Sequence, residues 1–305
     1  MIVAYQVAQK ALPAYAHRFS PKTYTQHQLF ACLVLKTFLN IDFRGLEQLL
    51  IDLPELCAVI ELKQVPDHST LHRAEKRLLL SRLAASLLSE TLATAIGCRK
   101  LRRRVSLAAL DGTGFETRHI SEYFVRRRKR GKNPDYQTTT YTRYPYAGIL
   151  CDTASHLILS AVPERGPGSD VRHFRQALDQ ALQRVQIETL TADAGYDGEG
   201  LHCYARDRQV RTIIPATKGR PTQKLPRGRW RRLMTTRFNR LKYGQRWQVE
   251  TVNSMIKRLQ GSALRARRYW SQCREIMLKV ITHNIMILRQ KELCDRATLT
   301  RMPRG

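Results

Sequence analysis

VSLAALDG (105–112) and IETLTAD (187–193) share one construction, a short apolar run that ends on an aspartate, Asp111 in the first and Asp193 in the second. Runs of this length, rich in aliphatic residues and bounded by turn-forming ones, read as buried strands. An aspartate before a glycine ordinarily marks a turn. The apolar run directly before each places Asp111 and Asp193 at strand ends instead. Between them, YPYAGILCD (144–152) and HLILSAVPE (156–164) form two strands around a turn at 152–155, where Asp152 takes the turn role. Ser169 or Asp170 caps a helix carrying Phe174, Leu178, Ala181, Leu182 and Val185. After Asp193 come a helix over about 198–208, capped by Asp197, and a last strand in VRTIIPA (210–216).

Three strands, helix, strand, helix, strand, helix is the order of a ribonuclease H-like α/β domain, a five-stranded mixed sheet with flanking helices. Ahead of it, residues 1–98 read as a small all-helical domain. Leu29, Phe30, Leu33, Val34 and Phe38 repeat at helical spacing, as do Leu46, Leu49 and Leu50, and PDHST (66–70) is a helix start. The basic patch RKLRRR (99–104) marks the boundary. The catalytic domain is expected over 99–290, with a helix at 270–289 burying Trp270, Cys273, Met277, Val280, Ile281 and Leu288, and with a tail at 291–305.

YGQRWQVETVNSMIK (243–257) supplies a third carboxylate. Offsets of seven, four and seven residues from Glu250 put Tyr243, Arg246 and Lys257 on its face of one helix. Val252, Met255, Ile256 and Leu259 make an apolar stripe roughly opposite. One face is therefore for packing and the other, a carboxylate between a phenol and two cations, is suited to phosphate.

The charge balance names the partner. Against 25 acidic residues stand 53 Lys and Arg, a formal charge of +28, which attracts polyanions, nucleic acid foremost. Two blocks concentrate it. RRRKRGK (126–132) contains Arg126, Arg127 and Arg128, suited to tracking a DNA backbone, and 216–246 holds eleven Lys or Arg and no acidic residue. Within the second block, Trp230 in RGRWRR reads as a stacking platform for an unpaired base. The seven cysteines never form C-x-x-C, which fits reduced, buried thiols and not zinc or disulfides. The first ten residues lack a signal-peptide pattern, and LFACLVLKTFL (29–39) is interrupted by Lys36. A cytoplasmic, nucleoid-associated protein is expected.

Asp111, Asp193 and Glu250 lie 193 − 111 = 82 and 250 − 193 = 57 residues apart, so only the fold can unite them. In an α/β sheet the carboxyl ends of the strands converge at one edge. Three hard oxygen donors suit Mg²⁺ or Mn²⁺, and a pair of such ions would serve in-line displacement at phosphorus. Thr113, Thr191 and Tyr196 are assigned core or turn roles, and His119 and His173 surface positions.

With PDHST, DGTG, ADAGYD and RWQVE in this order, the chain resembles the DDE transposases of prokaryotic insertion sequences, in the branch whose glutamate carries the Y-(2)-R-(3)-E-(6)-K signature of groups four and five. The resemblance implies that Asp111, Asp193 and Glu250 form the metal-binding triad and that Tyr243, Arg246 and Lys257 contact DNA at the transposon end. It also implies a homodimer that synapses two ends. Some relatives insert a long β-strand segment before the glutamate, for which the 57-residue spacing leaves little room. The expected activity is cut-and-paste transposition. The alternatives are a DNA-binding regulator without catalysis and a host nuclease of the same fold.

Overall fold

In the computed structural model, which describes residues 1–117, 121–128, 136–166, 168, 171–217 and 225–299, the N-terminal region is helical throughout. It comprises α1 (Ile2–Ala11), α2 (Gln26–Phe38), α3 (Phe43–Asp52), α4 (Pro54–Ala58), α5 (His68–Leu78) and α6 (Ser81–Gly97). Local chemistry sets the helix starts. Thr25 and Gln28 form a reciprocal capping box on α2, and Asp67 accepts from the Ser69 amide at 2.7 Å to open α5. Helix α2 is central, with Leu29, Phe30, Ala31, Cys32 and Leu33 all buried. Its Lys36 is buried too, tied to Glu75 at 2.7 Å.

The rest of the chain supplies β1 (Arg104–Val105), β2 (Ala108–Gly114), β3 (Glu116–Thr117), β4 (Ser121–Arg128), β5 (Tyr136–Asp152), β6 (Ile158–Gly166), α7 (Val171–Leu182), β7 (Gln186–Ile187), β8 (Thr189–Ala192), α8 (Glu199–Asp207), β9 (Arg211–Ile213), α9 (Arg229–Thr236), α10 (Arg240–Gly244), α11 (Trp247–Gln260), β10 (Ala263–Leu264) and α12 (Tyr269–Leu299). The main sheet is mixed and has five strands in the order β6-β5-β2-β8-β9. Strands β2, β8 and β9 are parallel, and β5 runs antiparallel between β2 and β6. Helix α7 packs on β5 and β6, while α11 packs on β2 and β5. Buried residues of the helical region and of the sheet join in one contiguous apolar cluster.

The turn between β5 and β6 forms where the sequence places it, with Asp152 accepting from the Ser155 amide at 3.0 Å and from its hydroxyl at 2.6 Å. Other expectations change. Strand β5 is 17 residues long, and its first half pairs with β4 alone, in register from Ser121↔Arg143 to Arg128↔Tyr136. Arg126, Arg127 and Arg128 thus belong to a two-stranded ribbon that extends the sheet. Trp270 is 70 % exposed instead of buried, because it falls in the first turn of α12, before that helix meets the core at Ile276. Helix α12 continues to Leu299 where a tail was expected from 291. His173 is fully buried, not at the surface, because it lies on the core face of α7 with Phe174 and Ala177. Cys98 and Cys203 are exposed, against the expectation of buried thiols. His119, Ser169, Asp170 and residues 129–132 and 218–224 of the basic blocks lie outside the described residues. Among the described residues no single helix is long and apolar enough to cross a membrane.

Candidate active site

Strand register brings the two aspartates together. In the parallel pair of β2 and β8, Leu110 is the partner of Ala192, so the residues that follow, Asp111 in β2 and Asp193 just past the end of β8, are neighbours, and the Asp193 charge acts on Asp111. Strand β8 stops there, while β2 continues to Gly114 along β5. Asp111 is thus inside its strand, at the level where its parallel neighbour ends. The Asp193 side chain accepts from the Gly195 amide at 2.8 Å, which turns the chain into a short 3₁₀ segment, Ala194–Tyr196.

Helix α11 adds the third carboxylate. Its buried positions are Val249, Val252, Asn253, Ile256 and Gln260, whereas Leu259 is 42 % exposed. The packing face is therefore rotated from the stripe read in the sequence, and Glu250 lies beside it instead of opposite. The reason is Asn253, a polar residue turned inward, whose Nδ2 donates to Asp111 Oδ2 at 3.4 Å. This contact aims the helix at the strand ends. Asp111, Gly112, Thr113, Glu250, Asn253 and Lys257 line one open cleft of about 560 Å³. Arg246 is the residue preceding α11 and pairs with Glu250 at 2.5 Å. Tyr243 does not share this helix. The chain breaks between α10 and α11, and the Tyr243 ring packs on Phe238 with centroids 5.0 Å apart.

The electrostatics of the cleft are those of gathered acids. Burial foremost, with the charges of Asp193 and Glu250 adding, pushes the Asp111 pKa up from 3.8 to about 6, against the Gly112 amide and the Arg246 charge, which favour ionisation. Among the described residues, the one group of three or more His, Cys, Asp or Glu donors within 4.8 Å of one another is Glu47, Asp67 and His68, so the three candidate carboxylates stand further apart than that. The donor set nevertheless fits a hard divalent cation. It is all oxygen, it carries an electrostatic cost that a cation would relieve, and beside Asp111 the buried Asn253 Oδ1 has no hydrogen-bond partner.

A layer of rings underlies the site, and the sequence did not signal it. A side chain at Gly112 would place its Cβ 1.6 Å from the Tyr146 hydroxyl, and one at Gly148 would strike the His173 ring at 2.0 Å. Those glycines let Tyr146 and His173 lie flat on the sheet next to Asp111. The His173 Nε2 meets the Tyr196 hydroxyl at 2.6 Å, so Tyr196, three residues past Asp193, is held by the core. Thr191 is also structural, donating to the Ile213 carbonyl at 3.1 Å.

Where a basic loop was expected over 216–246, the described residues 225–246 of the second basic block contain α9 and α10. Two acids of the preceding segment hold it. Glu199 caps α9 by accepting from the amides of Trp230 and Arg231, both at 3.0 Å, and Asp197 takes Arg231 in a bidentate ion pair whose shortest distance is 2.6 Å. Burial works against the Asp197 charge, but Arg231 and Thr217 outweigh it and hold its pKa below the ordinary carboxylate range. Asp197 is thus an anchor and not the cap of α8, whose N-cap is Gly198. The Trp230 ring lies against the Arg206 and Arg229 guanidinium groups, 4.3 and 4.8 Å from its centroid. Arg126 stacks on Tyr136 at 4.4 Å within the ribbon.

A family model described as a transposase DDE domain matches residues 104–285. No curated protein matches the chain.

Proposed function

Since the chain belongs to the DDE transposase family, whose model covers 285 − 104 + 1 = 182 of its 305 residues, we propose that it is a cut-and-paste transposase. It binds the terminal inverted repeats of its own insertion sequence, cleaves DNA there and joins the freed 3′-hydroxyls to a target. The family domain implies an enzyme. The observation that carries this finer reading is the Leu110↔Ala192 register, which sets Asp111 beside Asp193, together with the Asn253 contact that brings α11 and Glu250 to the same edge. The sheet order β6-β5-β2-β8-β9, with one antiparallel strand, supports a ribonuclease H-like catalytic domain over 99–290. Residues 1–98 would then bind the transposon end.

Asp111, Asp193 and Glu250 would hold Mg²⁺ or Mn²⁺. Held there, a pair of such ions would supply Lewis-acid chemistry for an in-line displacement at phosphorus, with a water or a 3′-hydroxyl as nucleophile. The chain's own residues do the positioning. Asn253 fixes Asp111, and the amide of Gly195 fixes Asp193. Arg246 and Lys257 bring positive charge to the cleft beside Glu250, where the phosphates flanking a scissile bond would lie. Arg126, Arg127 and Arg128 on the β4–β5 ribbon, with Tyr243 and Trp230, would extend the DNA contact. Two copies of the chain would pair two ends in a synaptic complex.

The test uses a plasmid carrying the gene's two flanks, incubated with the protein and Mg²⁺. Cleavage at the flanks is expected, and Asp111→Ala, Asp193→Ala and Glu250→Ala should each abolish it while leaving DNA binding nearly intact. Wild-type cleavage by any one variant removes that residue from the triad, and no cleavage by the wild-type protein removes the reading.

A further inference from the structure

Three clefts join end to end. The carboxylate cleft shares Ser262 with a second one formed by Asn40, Thr117 and the segment 261–267, and this shares Arg265, Ala266 and Arg267 with a wide cleft, of about 920 Å³, between α3, α5 and the start of α12. A continuous trough therefore leads from Asp111 and Glu250 along the chain that follows α11 to the helical region.

The wide end is net positive, with Lys36, Lys76, Arg265, Arg267, Arg268 and Arg274 against Asp42, Glu75 and Glu275. The acids that line the wide end are committed to the fold. Glu275 accepts the amides of Arg265 and Ala266 at 2.9–3.1 Å, Glu75 is bound to Lys36, and Asp42 caps α3 at 2.7 Å from the Gly45 amide. Arg267, Arg268, Arg274 and Lys76 also line that end, and among the described residues none of them is in an ion pair with an acid. In their midst stands Trp270, 70 % exposed, edge-on to Tyr269 with ring centroids 5.0 Å apart. An exposed indole among guanidinium groups is costly to leave in water, and it contrasts with Ile276, Leu278, Val280 and Ile281 of the same helix, which are buried. It offers a face to a flat, electron-rich group on a polyanion, which is a nucleobase. In a duplex each base already stacks on its neighbours, so the free ring selects an unpaired one.

We infer that this trough binds a single DNA strand continuing from the phosphate at the carboxylates, with an unpaired base on Trp270 and the backbone against Arg267, Arg268 and Arg274. The inference rests on the transposase reading for the identity of the strand, and on the trough itself for its course.

The experiment uses the full chain without added metal, fluorescein-labelled oligo(dT) of twelve nucleotides, a twelve-base-pair duplex, and the same oligo(dT) with one 5-iodouracil for photo-crosslinking. The crosslink should fall on the peptide containing Trp270, and the single strand should bind more tightly than the duplex. Trp270→Ala should remove the crosslink and weaken oligo(dT) binding about tenfold, the effect of removing one stack. The combined Arg267→Ala, Arg268→Ala and Arg274→Ala variant should lower the slope of log K against log salt by about 2, at about 0.7 per phosphate on a single strand. These side chains are at the surface, so an unchanged far-ultraviolet circular dichroism spectrum and urea midpoint confirm the fold of each variant. Crosslinking confined to Trp230 or Trp247, unchanged affinity in both variants, or preference for the duplex would overturn the inference. The two readings fail separately. Wild-type cleavage at the gene's flanks with trough variants that bind oligo(dT) normally sinks only the trough. A Trp270 crosslink in a protein that cleaves nothing leaves the trough standing and sinks the transposase.

Discussion

Replacing Asp111 by Asn should make the metal-free protein more stable, and by an amount that depends on pH. The folded-state pKa of Asp111 is about 6 against 3.8 for an unperturbed aspartate, a difference of about 2 units, which at 1.36 kcal/mol each is about 3 kcal/mol at most. Below 3.8 the carboxyl is protonated both folded and unfolded, and the wild-type protein suffers no penalty. As pH rises through 6 the folded state must accept a buried charge beside Asp193 and Glu250, and the stability present at low pH is lost. The amide has no proton to release, and it keeps an oxygen for the Asn253 Nδ2 and the Gly112 amide. The Asn variant should therefore exceed wild type by about 0.6 kcal/mol at pH 4, about 1.6 at pH 5 and about 3 at pH 8. Urea titrations in EDTA across this range measure it. Adding Mg²⁺ at pH 8 should close the gap by stabilising the wild-type protein alone, since a ligand that binds only the folded state raises its stability. Parallel pH profiles for the two proteins would refute the account of Asp111 as a carboxylate held against its own charge.

Further outcomes follow from the contacts around the site. Arg246→Ala and Lys257→Ala should each reduce cleavage at an element end more than they reduce Mg²⁺ binding, measured by calorimetry, because neither cation ligates a metal; a double variant that cleaves at wild-type rate would show the spacing to be coincidence. Arg231→Ala leaves the fully buried Asp197 side chain without its ion pair, so a loss of about 3 kcal/mol is expected, with earlier proteolysis around α9; an unchanged urea midpoint and digestion pattern would contradict the anchoring role. Neutralising Arg126, Arg127 and Arg128 should flatten the salt dependence of duplex binding, by at most about 0.9 for each phosphate these arginines neutralise, without altering sequence preference. A shift in preference would assign base contacts to the ribbon.

The sequence by itself determined what local chemistry encodes. Apolar runs ending at Asp111 and Asp193 gave strands, the Asp152 turn joined β5 to β6, PDHST started a helix, and the order of elements implied a five-stranded mixed sheet. These are short-range signals, a side-chain period or a cap, and they survive in any tertiary setting. Neighbours across the chain were decided only by packing. The offset from Glu250 to Arg246 was legible because both lie within one turn, but Tyr243 left that face when the chain broke between α10 and α11. Which way α11 faces depended on Asn253 reaching Asp111, 253 − 111 = 142 residues away, and a hydrophobic count along the helix has no access to that bond. The same limit hid the burial of His173 over Gly148, the anchoring of Arg231 by Asp197 and the exposure of Trp270. A residue's spacing tells which face of a helix it occupies, whereas what that face meets is set by elements that the chain brings back from far away.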